Sequence, residues 1–195
     1  MNTALLVLRP VPGLLLMGHG LQKLVPATLS PPLLAARGLR STAADFEQIG
    51  LSPGLPLALL AGAGELAGGF LIAAGLLTPL GTALFAAVAT VAILRVHLRN
   101  GIWNTAGGFE FPLLMLTSAY VVTALGPGSL SIGAWAGIDN WAGIHWAAQD
   151  AVRAAAAVGV GAAAGVAVLV ARRMREASSA TETPSRPSNE QQRAR

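Results

Sequence analysis

Residues 55–77, LPLALLAGAGELAGGFLIAAGLL, form an apolar run interrupted by one ionisable side chain, Glu65, near its middle. A helix crosses the hydrocarbon core of a bilayer with roughly 20 apolar residues, so this run is long enough to span. A carboxylate at that depth costs about 3 kcal/mol on insertion scales, and such groups face a bundle interior and a partner. On a helix, Ala61, Gly62, Gly68, Gly69 and Ile72 share the face of Glu65. Small neighbours on both sides let a second backbone approach the carboxylate. The rest of the chain therefore has to supply Glu65 with helices to pack on and a polar partner.

The composition agrees with a membrane setting. Of the 195 residues, 53% are hydrophobic and 11% charged, against roughly 25% charged in an average soluble domain. The formal net charge is +4, but residues 172–195 hold six of the thirteen Lys and Arg and three of the nine acids. Most of the excess thus lies in the tail, and no basic face with interleaved aromatics is left to grip phosphates, which argues against nucleic acid. The chain has no cysteine. Disulfides, thiolate metal sites and dithiol relays are excluded, so a redox role would need a bound carrier or a partner.

Five spans are expected, near residues 4–25, 55–77, 79–98, 110–125 and 152–171. The first carries Arg9, His19 and Lys23; it lacks the basic n-region and A-x-A site of a signal peptide. Pro10 and Pro12 are expected to kink or delay its start. His19 and Lys23, four apart with Gln22 beside them, make a polar stripe. In the loop 26–54, Thr42 followed by Asp45 resembles a capping box for a short surface helix that Gly50 ends. Thr78 and Pro79 leave so little connection that spans two and three should form an antiparallel hairpin. The third span ends in Arg95, His97 and Arg99, and Glu110 with Pro112 opens the fourth. Gly126, Pro127 and Gly128 break it.

Residues 131–151, with Trp135, Trp141 and Trp146, read as an interfacial loop. The fifth span is nearly pure Ala, Gly and Val, with Gly161 and Gly165 spaced for close helix packing on the bundle or on a second copy. Residues 172–195 are polar and charged, and are expected to be a disordered basic tail. The expected fold class is an all-α membrane protein: a four-helix transmembrane bundle over residues 1–130, a fifth C-terminal transmembrane helix and a disordered tail.

Cations decide the orientation. With the tail in the cytoplasm, Lys23, Arg37, Arg40, Arg95 and Arg99 fall on the same side, and the positive-inside rule puts the N-terminus outside. Aligning the inner ends of spans one and two at Val25 and Leu55 sets His19 about 6 Å inward of Glu65. Lys23, Arg95, His97 and Glu110 also fall toward the inner end.

Several stretches of the chain resemble the DoxX family of small bacterial membrane proteins. They are the first span with Arg9, GHGLQKL at 18–24, ELAGG at 65–69 with the GLLTPLG that follows, HLRNG at 97–101 and GGFEFPLL at 107–114. The resemblance runs from about Leu5 to Leu130 and implies a four-helix bundle in the bacterial inner membrane. It also implies an association with membrane redox chemistry, since relatives include subunits of a thiosulfate to quinone oxidoreductase. The family's polar positions fall on His19, Lys23, Glu65, His97 and Glu110. The Trp-rich segment, the fifth span and the tail depart from the family pattern.

Each polar residue has a plain reading beside a functional one. Glu65 is either a structural carboxylate fixing helix register or a proton-handling group, and His19 either a packing histidine or its proton-exchanging neighbour. These two are the candidate catalytic residues. Lys23, His97, Glu110, Arg9 and Arg95 are candidate ligand contacts, although Lys23 and Arg95 also suit snorkelling topology determinants and Glu110 a helix cap. His19, His97, Glu65 and Glu110 lack the tight spacing of a metal site. The G-x-G of AGAGELAGG lies within a span, which excludes a dinucleotide fingerprint, and no nucleophile elbow is present. Two functional classes follow: a redox-associated membrane subunit holding a quinone, with a soluble or membrane partner, or a non-enzymatic anchor, assembly factor or small-molecule carrier.

Overall fold

The computed structural model describes residues 2–138, 140, 144–146 and 149–182. Among them there are helices and no strand. Four helical stretches are long and apolar enough to span a membrane: Thr3–Leu24, Gly54–Ala74, Thr78–Asn100 and Ala151–Arg175. A fifth apolar helix, Glu110–Leu125, has 16 residues, about 24 Å at the usual helical rise. The tail beyond residue 182 and Trp141 lie outside the described residues.

The first span consists of α1 (Asn2–Leu8) and α2 (Pro10–Leu24). The kink expected at Pro10 is a one-residue interruption. Arg9 keeps helical dihedrals, its N–H bonds the Leu5 carbonyl and its own carbonyl accepts from Gly13, while Pro10 occupies a first-turn position where a missing N–H is tolerated. The loop that follows folds back on α2, the Gln22 carbonyl accepting from the N–H groups of Arg37 and Gly38.

The short surface helix is α3 (Leu39–Gln48), but the expected capping box is absent. The helix starts a turn earlier than Thr42, whose hydroxyl instead donates to the Gly38 carbonyl, and Asp45 pairs with Arg37 at 2.8 Å. Glu47 caps the next helix, α4 (Gly54–Ala74), by accepting from the Gly54 N–H at 3.0 Å.

Gly75 ends α4 in the left-handed conformation that glycine adopts without a Cβ penalty. The chain turns at once into α5 (Thr78–Ala92), giving the expected antiparallel hairpin. The C-terminal end of the third span is a wider π turn at Ile93–His97 followed by a 3-10 turn at Leu98–Asn100. Then come α6 (Glu110–Leu125), the short α7 (Ile132–Trp135) and α8 (Ala151–Glu182). Asp150 caps α8, accepting from the Val152 and Arg153 N–H groups. The last helix continues past the expected end at Ala171 because Arg, Met, Glu and Ala, all good helix formers, follow there.

In the bundle, α2 packs on α4, α4 on α5 and α5 on α6, while α6 meets α2 more lightly and α8 lies outside against α5 and α6. The core is Leu16, Ile72, Phe85, Ala89, Met115, Ala119 and Val122. Two buried hydroxyls cross from α5 to α6: Thr82 lies 2.8 Å from Thr123 and donates to the Ala119 carbonyl. Gly161 and Gly165 pack on α5, where an added Cβ would run into the carbonyls of Ala83 and Ala87.

Glycines also set the register of α2 against α4. A Cβ on Gly13 would lie 2.7 Å from the Gly69 carbonyl oxygen, and one on Gly20 would lie 2.6 Å from that of Gly62. No side chain fits there, so the backbones touch. This contact puts His19 level with Glu65, not about 6 Å inward of it; aligning the loop ends misjudged the register because glycine contacts determine it.

Candidate functional site

At the level of Glu65 the bundle holds a cavity of about 430 Å³ whose wall is largely apolar. Four polar side chains foreseen in the sequence line it: His19 and Lys23 from α2, Glu65 from α4 and His97 from the π turn. Packing explains the space. Gly68 and Gly81 bring α4 and α5 together at one end, a Cβ on Gly68 lying 2.9 Å from the Gly81 carbonyl oxygen. Toward the end of the bundle that carries Lys23, Gly64 meets only the Val88 side chain, and the two helices leave room.

Glu65 is 8% exposed, and its partner is Lys23, whose Nζ lies 2.5 Å from Oε2. Lys23 starts a turn nearer the C-terminal end of α2 and reaches back along the helix, also donating to the His19 carbonyl at 3.3 Å. The ammonium has three N–H donors, so these two bonds leave one for a ligand oxygen. The His19 ring stands edge-on to Phe111 of α6, with centroids 5.5 Å apart, and both rings line the cavity.

Of the candidate residues, Arg9, Arg95 and Glu110 do not line this cavity, whereas His97 does. His97 is fixed by a 2.7 Å hydrogen bond between Nδ1 and the Gly107 carbonyl. Glu110 accepts from the Asn104 N–H at 2.9 Å and steadies the loop before α6. Arg95 donates to the Ile49 carbonyl at 2.5 Å, tying the end of the third span to the end of α3. Among the described residues, no three His, Asp or Glu side chains gather as a metal-binding group.

Arg9 lies at the opposite end, about 15 Å along α2 from His19. It is 4% exposed and donates to three backbone carbonyls: Ala73 at 2.9 Å, Pro127 at 2.5 Å and Leu130 at 2.8 Å. It thereby clamps the ends of α4 and α6 to α2. The sequence carried no signal for this role, because the acceptors are main-chain atoms far away along the chain. Phe46 of α3 and, just after the helix, Ile49 and Leu51 also line the cavity, a role that the pattern of a surface helix does not signal.

Fold and site together define a class: a helical integral membrane protein with a buried ion pair in the wall of a ligand-sized apolar cavity. Residues 4–98 match the DoxX family model, so this part of the chain, from the first span through the third, is a DoxX domain. The match stops before GGFEFPLL. Both α6 and α8 therefore lie outside it, although each contributes residues to the cavity wall. No curated protein and no solved structure matches the chain.

Proposed function

We propose that the protein is a quinone-handling subunit of a membrane oxidoreductase, with the quinone head group at Lys23 and Glu65. The observation that carries this reading is the Lys23–Glu65 pair in the wall of an apolar cavity of about 430 Å³. Small-molecule sites run from about 300 to 1,000 Å³, mostly apolar with a few convergent polar groups, and an aromatic head with oxygen acceptors suits both parts of that description. A quinone accepts two electrons and two protons on reduction. A redox-active partner supplies the electrons, while this chain supplies binding and protons: the remaining Lys23 N–H orients a ligand oxygen, and Glu65 and His19 hold protons beside it.

The protein sits in the bacterial inner membrane with its N-terminus outside and its C-terminus in the cytoplasm, which places the ion pair in the cytoplasmic half. A strain carrying Glu65→Gln tests the chemical role, because Gln keeps the shape and hydrogen bonding but not the titration. The redox state of the quinone pool should shift as in a deletion strain while protein level and thermal stability are kept, and His19→Ala should do the same. A Glu65→Gln strain with a wild-type pool contradicts the reading and favours a structural carboxylate in an anchor or carrier.

A further inference from the structure

We infer that the groove between α4 and α8 holds the apolar chain of the ligand, so that the site takes a membrane-dissolved amphipath from the side; this rests on the head-group position proposed above. The cavity that contains Glu65 and Lys23 is also lined by Leu60 and Gly64 of α4, Val88 of α5, and Ala164 and Val168 of α8. These five residues flank a channel over α5 whose outer lip faces lipid: Leu60 is 65% exposed and Val168 36%. Gly64 and Ala164 project almost nothing into it.

Other sides of the cavity are partly walled or separate, although Val96 and Phe111, 43% and 37% exposed, also border it. Toward the inner end, Phe46, Ile49 and Leu51 form its wall, and Arg95 holds Ile49 in place. Toward the outer end, the Gly68–Gly81 backbone contact seals α4 against α5. A second space of about 290 Å³ lies along the light α2–α6 seam, but it shares only Met115 with the first and contains neither the ion pair nor a histidine. For a head group at Lys23 and Glu65, the way out under α8 is lined by apolar residues throughout. Because α8 lies outside the DoxX match, this wall can set which chain the protein accepts.

Lipid tails are as apolar as the groove, so the chain adds little affinity, and filling the groove should act by exclusion. The full-length protein in nanodiscs is exposed to a benzoquinone with a decyl chain ending in a diazirine. Adducts are mapped by peptide mass spectrometry, with the same head group bearing a methyl in place of the chain as competitor. Adducts near Leu60 and Val168 that the competitor removes are expected. Ala164→Phe and Val168→Trp should each abolish them while leaving binding of the methyl compound, read by equilibrium dialysis, unchanged. Competable adducts confined to the α2–α6 seam around Leu15 and Ser118, or groove adducts that survive both filling variants, would overturn the groove and leave the head-group site standing. If the methyl compound neither binds nor competes, the head-group reading falls and the inference with it.

Discussion

Lys23 and Glu65 are paired at 2.5 Å with both side chains largely withdrawn from solvent. Taking two charges out of water is repaid only by close geometry, and removing one partner strands the other. Fully buried pairs lose about 3–5 kcal/mol when broken. With side chains 23% and 11% exposed, Glu65→Leu should cost about 2 kcal/mol, whereas Lys23→Met with Glu65→Leu should recover much of the loss. Thermal denaturation of the single and double variants in detergent measures the difference; additive losses would mean that the pair is not coupled. Arg9 solves its burial in another way. Among the described residues it pairs with no carboxylate and instead uses carbonyls at or just beyond the C-terminal ends of α4 and α6, where the helix dipole favours a cation. Arg9→Met should lower stability by about 3 kcal/mol, since charged hydrogen bonds contribute roughly 1.5–3 each and do not add fully. Arg9→Lys should restore only part, because an ammonium lacks the planar fork that spans several acceptors.

The elements divide into those that hydropathy could place and those that packing alone decides. Apolar run lengths put the spans within a few residues of their places, and Thr78 with Pro79 foretold the hairpin, because these signals are local. Of the six polar residues expected to converge, His19, Lys23, Glu65 and His97 line one cavity and Arg95 and Glu110 do not. Pairing was not legible: Lys23 near a helix end looks like a snorkelling cation, and only the Gly13 and Gly20 contacts with α4 bring its reach onto Glu65. The Thr82–Thr123 bond is silent in sequence for the same reason, as each hydroxyl sits in an ordinary apolar run. Gly20→Leu should force α2 from α4, and the pair should then melt apart earlier than wild type. Gly161→Leu with Gly165→Leu should loosen α8 from α5 while the other spans stay inserted, seen as faster protease cleavage within α8; unchanged cleavage would show that the glycine contacts do not hold it.

Across the whole molecule, Arg9, Ala73 and Pro127 mark one end of the bundle, while Lys23, His97 and Glu110 lie toward the other. Although α6 is shorter than the four helices long enough to span a membrane, it connects these two levels, running from the Asn104 turn to the Arg9 clamp. Exposed Trp103 lies in the loop at one end and exposed Trp135 in α7 at the other, as interfacial aromatics do. A chain without cysteine makes the orientation easy to test: a single Cys at Ser185 should react from the cytoplasmic side and one at Asn140 from outside, and reversed labelling would contradict the arrangement. The central claim is that the Lys23–Glu65 cavity holds a quinone. It is tested most directly by purifying the full-length protein in mild detergent from bacterial membranes and quantifying extractable quinone against protein. Quinone stoichiometric with the wild-type chain and lost from the Lys23→Met, Glu65→Leu double variant, which removes both polar groups together, is the expected result; equal quinone in both, or none above the lipid background in wild type, would contradict it.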